Sequence, residues 1–167
     1  MIIIIFGVSG AGKTTVGELI ARELCWRFIE ADDFHPAANI EKMRSGHRLT
    51  DNDRGPWLDR LRRQVERALA AKENAVLACS ALKRAYRDRL RVSDEVKFVF
   101  LRGDYSLIEK QLRKRRGHFM NATLLKSQFD DLEEPQPDEN VVTIELGQTP
   151  EDIVERIEEK LNLIGSG

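Results

Sequence analysis

Residues 2–15 read IIIIFGVSGAGKTT, and this stretch decides the fold. Ile2 to Phe6 is a continuous apolar run rich in β-branched residues, the pattern of a strand buried on both faces. Gly7 to Thr14 then satisfies G-x-x-x-x-G-K-[ST] without a mismatch. From Thr14 onward the period becomes helical, with Val16, Leu19, Ile20 and Leu24 on one face. Strand, glycine-rich loop and amphipathic helix together are the context in which this pattern holds phosphate. The loop Gly7, Val8, Ser9, Gly10, Ala11 and Gly12 turns backbone N–H groups inward, and the helix start adds its positive dipole end. Lys13 is expected to reach the β- and γ-phosphates of a nucleotide, and Thr14, followed by Thr15, to offer its hydroxyl to Mg²⁺.

The rest of the chain alternates. Arg27 to Glu30, Ala75 to Cys79, Val96 to Leu101 and Val141 to Leu146 read as four more strands. Between them, Trp57, Leu58, Leu61, Val65 and Leu69 mark a helix of about four turns with Pro56 near its first turn. Leu82, Ala85, Tyr86 and Leu90 suggest another, Ile108 and Leu112 a third, and Ile153 to Ile164 a last one beginning at Thr149 and Pro150. Strands separated by helices imply right-handed crossovers: an α/β class, with a parallel sheet covered on both faces. Ligands in such sheets bind beyond the carboxyl ends of the strands. Those places read GVSGAGKTT, EADDFHP, SALKRAYR, RGDYS and GQTP. The stretch DDLEEPQPDE reads as an acidic surface connection before the fifth strand.

Bulk properties narrow the class. A chain of 167 residues is long enough for one domain with a real core. Net charge is −1 with 33% charged residues of mixed sign, which does not point to nucleic acid or an anionic membrane as partner. Cys25 and Cys79 make no disulfide framework and no zinc spacing, and Cys79 reads as a small apolar strand residue. No apolar run approaches the roughly 20 residues of a membrane span, so a cytoplasmic location is the default. There is no N-K-x-D motif for guanine, which argues against a switch GTPase.

Beyond the phosphate loop, the blocks DDFHPAANIEKMRSGHRLTDNDRGPWL, CSALKRAYRDRLR, FLRGDYSLIEKQLRKRRGHFM and SQFDDLEEP are similar to the gluconokinase family over nearly the whole chain. That resemblance implies an ATP- and Mg²⁺-dependent kinase acting on the terminal hydroxyl of D-gluconate. It implies a single P-loop kinase domain over 1–167, a three-layer α/β/α fold with a five-stranded parallel sheet in the order 2-3-1-4-5 and a small lid. The substrate region would lie at about 33–60 and the lid at about 113–125. Related enzymes are often dimers, although no exposed apolar stripe marks one here.

The resemblance also assigns roles. The family pattern has Asp-x-Asp after the second strand, and Glu30 and Asp32 match it, with Glu30 the departure. By analogy with shikimate kinase, Glu30 lies near the metal, and Asp32 accepts from the acceptor hydroxyl and acts as its base. Asp33 is expected on the opposite face, since neighbours on an extended segment alternate. Gluconate needs a guanidinium for its carboxylate and polar groups for its hydroxyls. Arg54 is the first choice, with His35, Ser80, Lys83 and Arg87 also candidates, although at least one of these last cations reads equally as an ordinary solvated charge. Arg115 is expected to be the lid arginine on the transferring phosphoryl group, helped by Arg113 or Arg116, with His118 near the substrate. The GQTP loop is expected to cradle adenine through its backbone. Two rivals are weighed: another small-metabolite kinase such as shikimate kinase, whose usual Gly-Gly-Gly run is replaced here by CSALKR, and an RNA-associated regulator, disfavoured by the near-neutral charge.

Overall fold

The computed structural model describes residues 1–114 and 122–163. Five strands alternate with seven helices in this part of the chain. The strands are β1 (Ile2–Phe6), β2 (Arg27–Glu30), β3 (Ala75–Ala78), β4 (Val96–Arg102) and β5 (Val142–Glu145). The helices are α1 (Lys13–Leu24), α2 (Ala37–Arg44), α3 (Asp51–Ala70), α4 (Arg84–Leu90), α5 (Tyr105–Arg113), α6 (Ala122–Asp131) and α7 (Pro150–Lys160). All neighbouring strands pair in parallel, in the order β2-β3-β1-β4-β5. This is the order that the sequence resemblance implied.

The apolar run of β1 explains why it lies at the centre. Each of its five residues is buried. Ile2, Ile4 and Phe6 face one core, built with Trp57, Leu58 and Leu61 of α3 and with Tyr86 and Leu90 of α4. Ile3 and Ile5 face the other, built with Val16 and Ile20 of α1, Ile108 of α5, Leu125 of α6 and Ile157 of α7. The period-2 alternation of a strand thus produces three layers from one hydrophobic run. At Gly17 a Cβ would sit 2.8 Å from Phe28, so the missing side chain lets α1 close onto the sheet.

Three sequence expectations change. The helix around Trp57 begins at Asp51 and runs 20 residues, so Pro56 lies inside it. Its start is set by a capping box at Thr50 and Asp53: Asp53 N–H donates to Thr50 Oγ1 (3.1 Å) and Thr50 N–H to Asp53 Oδ2 (2.8 Å). Helix α2, absent from the sequence reading, occupies the block after His35. The stretch DDLEEPQPDE is not merely a surface connection, because it carries the buried carboxylates Asp131 and Glu139.

Candidate active site

The carboxyl ends of β1, β2 and β3 open onto a chamber of about 660 Å³, within the size range of small-molecule sites. Ser9, Gly10, Gly12, Lys13 and Thr14 of the phosphate loop line it, with Glu30 at the end of β2, Asp32 and Asp33 just beyond it, and Ser80 after β3. Arg44, His47, Arg48, Arg54 and Trp57 line it from α2, α3 and their junction. Leu124, Ser127 and Gln128 of α6 line it as well, as does His35 after β2.

The phosphate loop is wound as its glycines require. Gly10 (φ +86°) and Gly12 (φ +92°) take backbone conformations that L side chains rarely adopt. A Cβ on Gly10 would meet Leu112 Cγ at 2.6 Å, so α5 packs directly under the loop. Lys13 Nζ folds over the loop, donating to the carbonyls of Gly7 (3.0 Å) and Val8 (2.9 Å). Val8 and Ala11 are buried in the core, and Thr15 is exposed beyond the chamber lining. Ser9 N–H donates to Gln128 Oε1 (2.6 Å), so α6 touches the same amide that a phosphate would use.

Thr14 Oγ1 donates to Glu30 Oε2 at 2.5 Å. Burial raises the Glu30 pKa above its ordinary value, against the lowering effect of the Thr14 bond. Among the described residues, no cluster of three His, Cys, Asp or Glu could hold a metal alone. Mg²⁺ in phosphate-transfer sites needs just one or two protein oxygens, with substrate phosphates and water supplying the rest. The hard oxygens of Thr14 and Glu30, side by side next to the phosphate loop, fit that requirement.

Residues 31–34 form a 3-10 turn, so the alternation expected for Asp33 does not apply, and Asp32 and Asp33 both line the chamber. Trp57 anchors this turn: its indole Nε1–H donates to the Ala31 carbonyl (2.8 Å). The same indole stacks on His35 at 4.4 Å between centroids. Asn39 Nδ2 donates to His35 Nδ1 (3.2 Å), which leaves the imidazole proton on Nε2, 3.7 Å from Asp32 Oδ1. Burial lowers the His35 pKa, favouring the neutral ring. His35 is thus placed beside Asp32, where the sequence expected a substrate contact.

The cationic candidates separate. Arg54 lines the chamber, its Nη1 donating to Tyr86 Oη (2.9 Å) and its Nη2 to Asp131 Oδ2 (3.0 Å). Burial works against its charge, and these bonds more than offset it. Lys83 lies outside the chamber lining and pairs with Asp51 at 2.8 Å. Arg87 is a correction. It is fully buried, donating to both Glu139 oxygens (2.8 and 3.2 Å) and to the carbonyls of Ala81, Leu82 and Glu133. Its helical spacing from Lys83 did point both residues toward the same edge, but the guanidinium turns inward to the 3-10 turn before β5. Arg113 is exposed at the end of α5, paired with Glu109 and outside the chamber lining. Arg115, Arg116 and His118 lie outside the described residues. Thr149 caps α7 by accepting from Asp152 N–H (3.1 Å), with Pro150 next, the plain turn that its sequence also allowed.

Sequence reasoning missed Arg48, Asn39, Gln128 and Asp131. Arg48 and Gln128 stand in the blocks shared with the gluconokinase family, but nothing local gave either a role. Asn39 sits four residues after His35, a helical spacing that becomes visible once α2 is known. Asp131 was hidden within an acidic run.

A profile of the family described as an AAA domain matches residues 2–135. The chain is 44% identical to a probable gluconokinase of Xenopus tropicalis, over 95% of this chain and 92% of that protein. A crystal structure of a gluconokinase from Sinorhizobium meliloti 1021 aligns with a TM-score of 0.84 at 42% identity, covering 96% of this chain and 95% of that one. Shikimate kinase from Acinetobacter baumannii shares the fold at a TM-score of 0.63 and 20% identity, over 98% of this chain and 94% of its own. With relatives 42–44% identical over nearly its full length, the chain belongs to the gluconokinase family.

Proposed function

We propose that this chamber transfers the γ-phosphoryl group of ATP to the terminal hydroxyl of D-gluconate, giving 6-phospho-D-gluconate and ADP. The observation that carries the reading is one chamber holding a phosphate loop, a carboxylate pair after β2 and a set of arginines from α2 and α3. The names of the relatives support the acceptor.

In this reading the loop amides and Lys13 hold the β- and γ-phosphates in line with the acceptor oxygen. Thr14 and Glu30 would hold Mg²⁺, which supplies charge neutralisation on the β- and γ-oxygens when bound. Asp32 accepts the proton of the terminal hydroxyl as that oxygen attacks the γ-phosphorus. The bond from the γ-phosphorus to the bridging oxygen breaks, and ADP leaves with the electron pair. His35, with its proton on Nε2, donates toward Asp32 or a substrate hydroxyl. Arg54 takes the acceptor carboxylate. Arg115 of the lid, helped by Arg116 in place of the outward-facing Arg113, neutralises the transferring group, His118 meets the substrate, and the loop after β5 borders the adenine. Such a reaction, drawing on cellular ATP, belongs in the cytoplasm.

ADP release with MgATP tests the reading, using D-gluconate, other aldonates, shikimate, nucleoside monophosphates and water alone as acceptors. Turnover with D-gluconate well above all others is expected. An equal rate with water would refute an acceptor kinase, and preference for shikimate would shift the substrate.

A further inference from the structure

We propose that Asp131 is a positioning residue, which holds Arg48 and Arg54 as a paired guanidinium clamp for the carboxylate of the acceptor. The inference rests on the kinase reading above and gives Arg48 and Asp131 roles that the sequence reading did not assign. Asp131 is the last residue of α6, and its side chain is 4% exposed. A carboxylate there is disfavoured twice, by burial and by the partial negative charge of a helix C-terminus. Its placement is compensated by two arginines from a different part of the chain. Oδ1 accepts from Arg48 Nη2 (2.6 Å) and Oδ2 from Arg54 Nη2 (3.0 Å).

The arrangement differs from the other buried arginine pair. Every nitrogen of Arg87 donates to a protein oxygen, which makes that pair purely internal. Arg54 donates to Asp131 and Tyr86, and Arg48 to Asp131, which leaves N–H groups on both forks uncommitted among the described residues. Both arginines line the chamber. One carboxylate that fixes two arginines from behind spends their rotamer entropy during folding rather than during binding. Two fixed forks are suited to the two oxygens of a planar carboxylate. Because Asp131 ends α6, and Gln128 of the same helix touches Ser9, α6 ties the acceptor clamp to the phosphate loop.

The test uses the full chain and the variant Asp131→Asn, with steady-state kinetics against D-gluconate and ATP. Inhibition by D-glucitol, the neutral polyol lacking the carboxylate, is measured in parallel. The expected result is a KM for D-gluconate raised about tenfold, the loss of roughly one charge-assisted bond. The KM for ATP and the inhibition constant of D-glucitol stay within about twofold. A KM for D-gluconate that is unchanged or lower overturns the proposal, the lower value marking Asp131 as a competitor for the arginines. Parallel weakening of D-glucitol also overturns it, since that is a general structural loss. Should Asp131→Asn not fold, Arg48→Gln, whose side chain is 55% exposed, carries the same expectation and the same refutation. Wild-type turnover separates the two levels: if another acid is the preferred acceptor, the substrate reading fails, and the clamp is judged on that acid and its neutral analogue.

Discussion

Replacing Arg87 by Met separates a structural arginine from a substrate-binding one. The guanidinium is fully buried and its donors reach Glu139, Ala81, Leu82 and Glu133. It also lies 4.9 Å from the ring centroid of Phe6, the last residue of the central strand. Methionine fills much of the volume but leaves Glu139 buried, with Gln136 N–H (2.8 Å) as its remaining hydrogen-bond donor among the described residues. Removing one partner of a buried pair costs about 3–5 kcal/mol. At about 2–4 °C per kcal/mol for a domain of this size, Tm should fall by about 6–20 °C. The effect should depend on pH. Burial pushes the Glu139 carboxyl up, but Arg87 and the Gln136 N–H more than offset this and hold its pKa below the ordinary 4.5. The native state therefore binds fewer protons than the unfolded chain near that pH. This stability is present above pH 4.5 and is lost as pH falls through the lowered folded value. In the variant burial acts with little opposition, so the carboxyl takes its proton at higher pH and its penalty disappears. The Tm gap between parent and variant should be wide at neutral pH and narrow under acid conditions, read by calorimetry. A Tm within about 2 °C of the parent, joined to a large rise in acceptor KM, would refute the structural assignment.

Other perturbations probe the site. Asp32→Asn should lower kcat by about 10²- to 10⁴-fold, the usual worth of a general base, with little change in Tm because the side chain is 77% exposed; a loss under tenfold would remove Asp32 from that role. Gly10→Ala should destabilise by about 2–4 kcal/mol and weaken ATP binding, since it adds a left-handed backbone penalty to a 2.6 Å clash with Leu112; urea unfolding measures the first and KM the second. Trp57→Phe should cost about 1–3 kcal/mol for the unpaired Ala31 carbonyl and lower kcat by loosening the turn that carries Asp32; unchanged kcat would show the turn to be rigid without the indole. Iodoacetamide should label exposed Cys25 and spare Cys79, whose thiol burial pushes up to about 12; mass spectrometry of the folded chain decides.

The legible parts of this sequence are those set by short-range rules. The run Ile2–Phe6, the glycine spacing and the change of period at Thr14 suffice for the strand, the loop and α1. The alternation of strands and helices yields the layers. The strand order came from the family resemblance, because no local pattern encodes which strand lies beside which. What stayed hidden depends on partners distant in sequence. Arg87 and Lys83 look alike on one helical face, but one meets Glu139, 52 residues away, and the other Asp51. Asp131 and Glu139 stand in an acidic run that composition assigns to solvent, and arginines 52 to 83 residues away account for the burial of two of its carboxylates. Asp33 was misplaced because alternation presumes an extended chain, and the segment tightens into a 3-10 turn held by Trp57.

The most direct test of the central claim is the product itself. D-gluconate labelled with ¹³C at C6 would be incubated with the protein and MgATP, and ³¹P and ¹³C spectra would be recorded over the reaction. The account predicts one new phosphate ester whose phosphorus couples to the labelled C6, formed in step with ADP. ADP formation without an ester, or an ester on any other carbon, would contradict it.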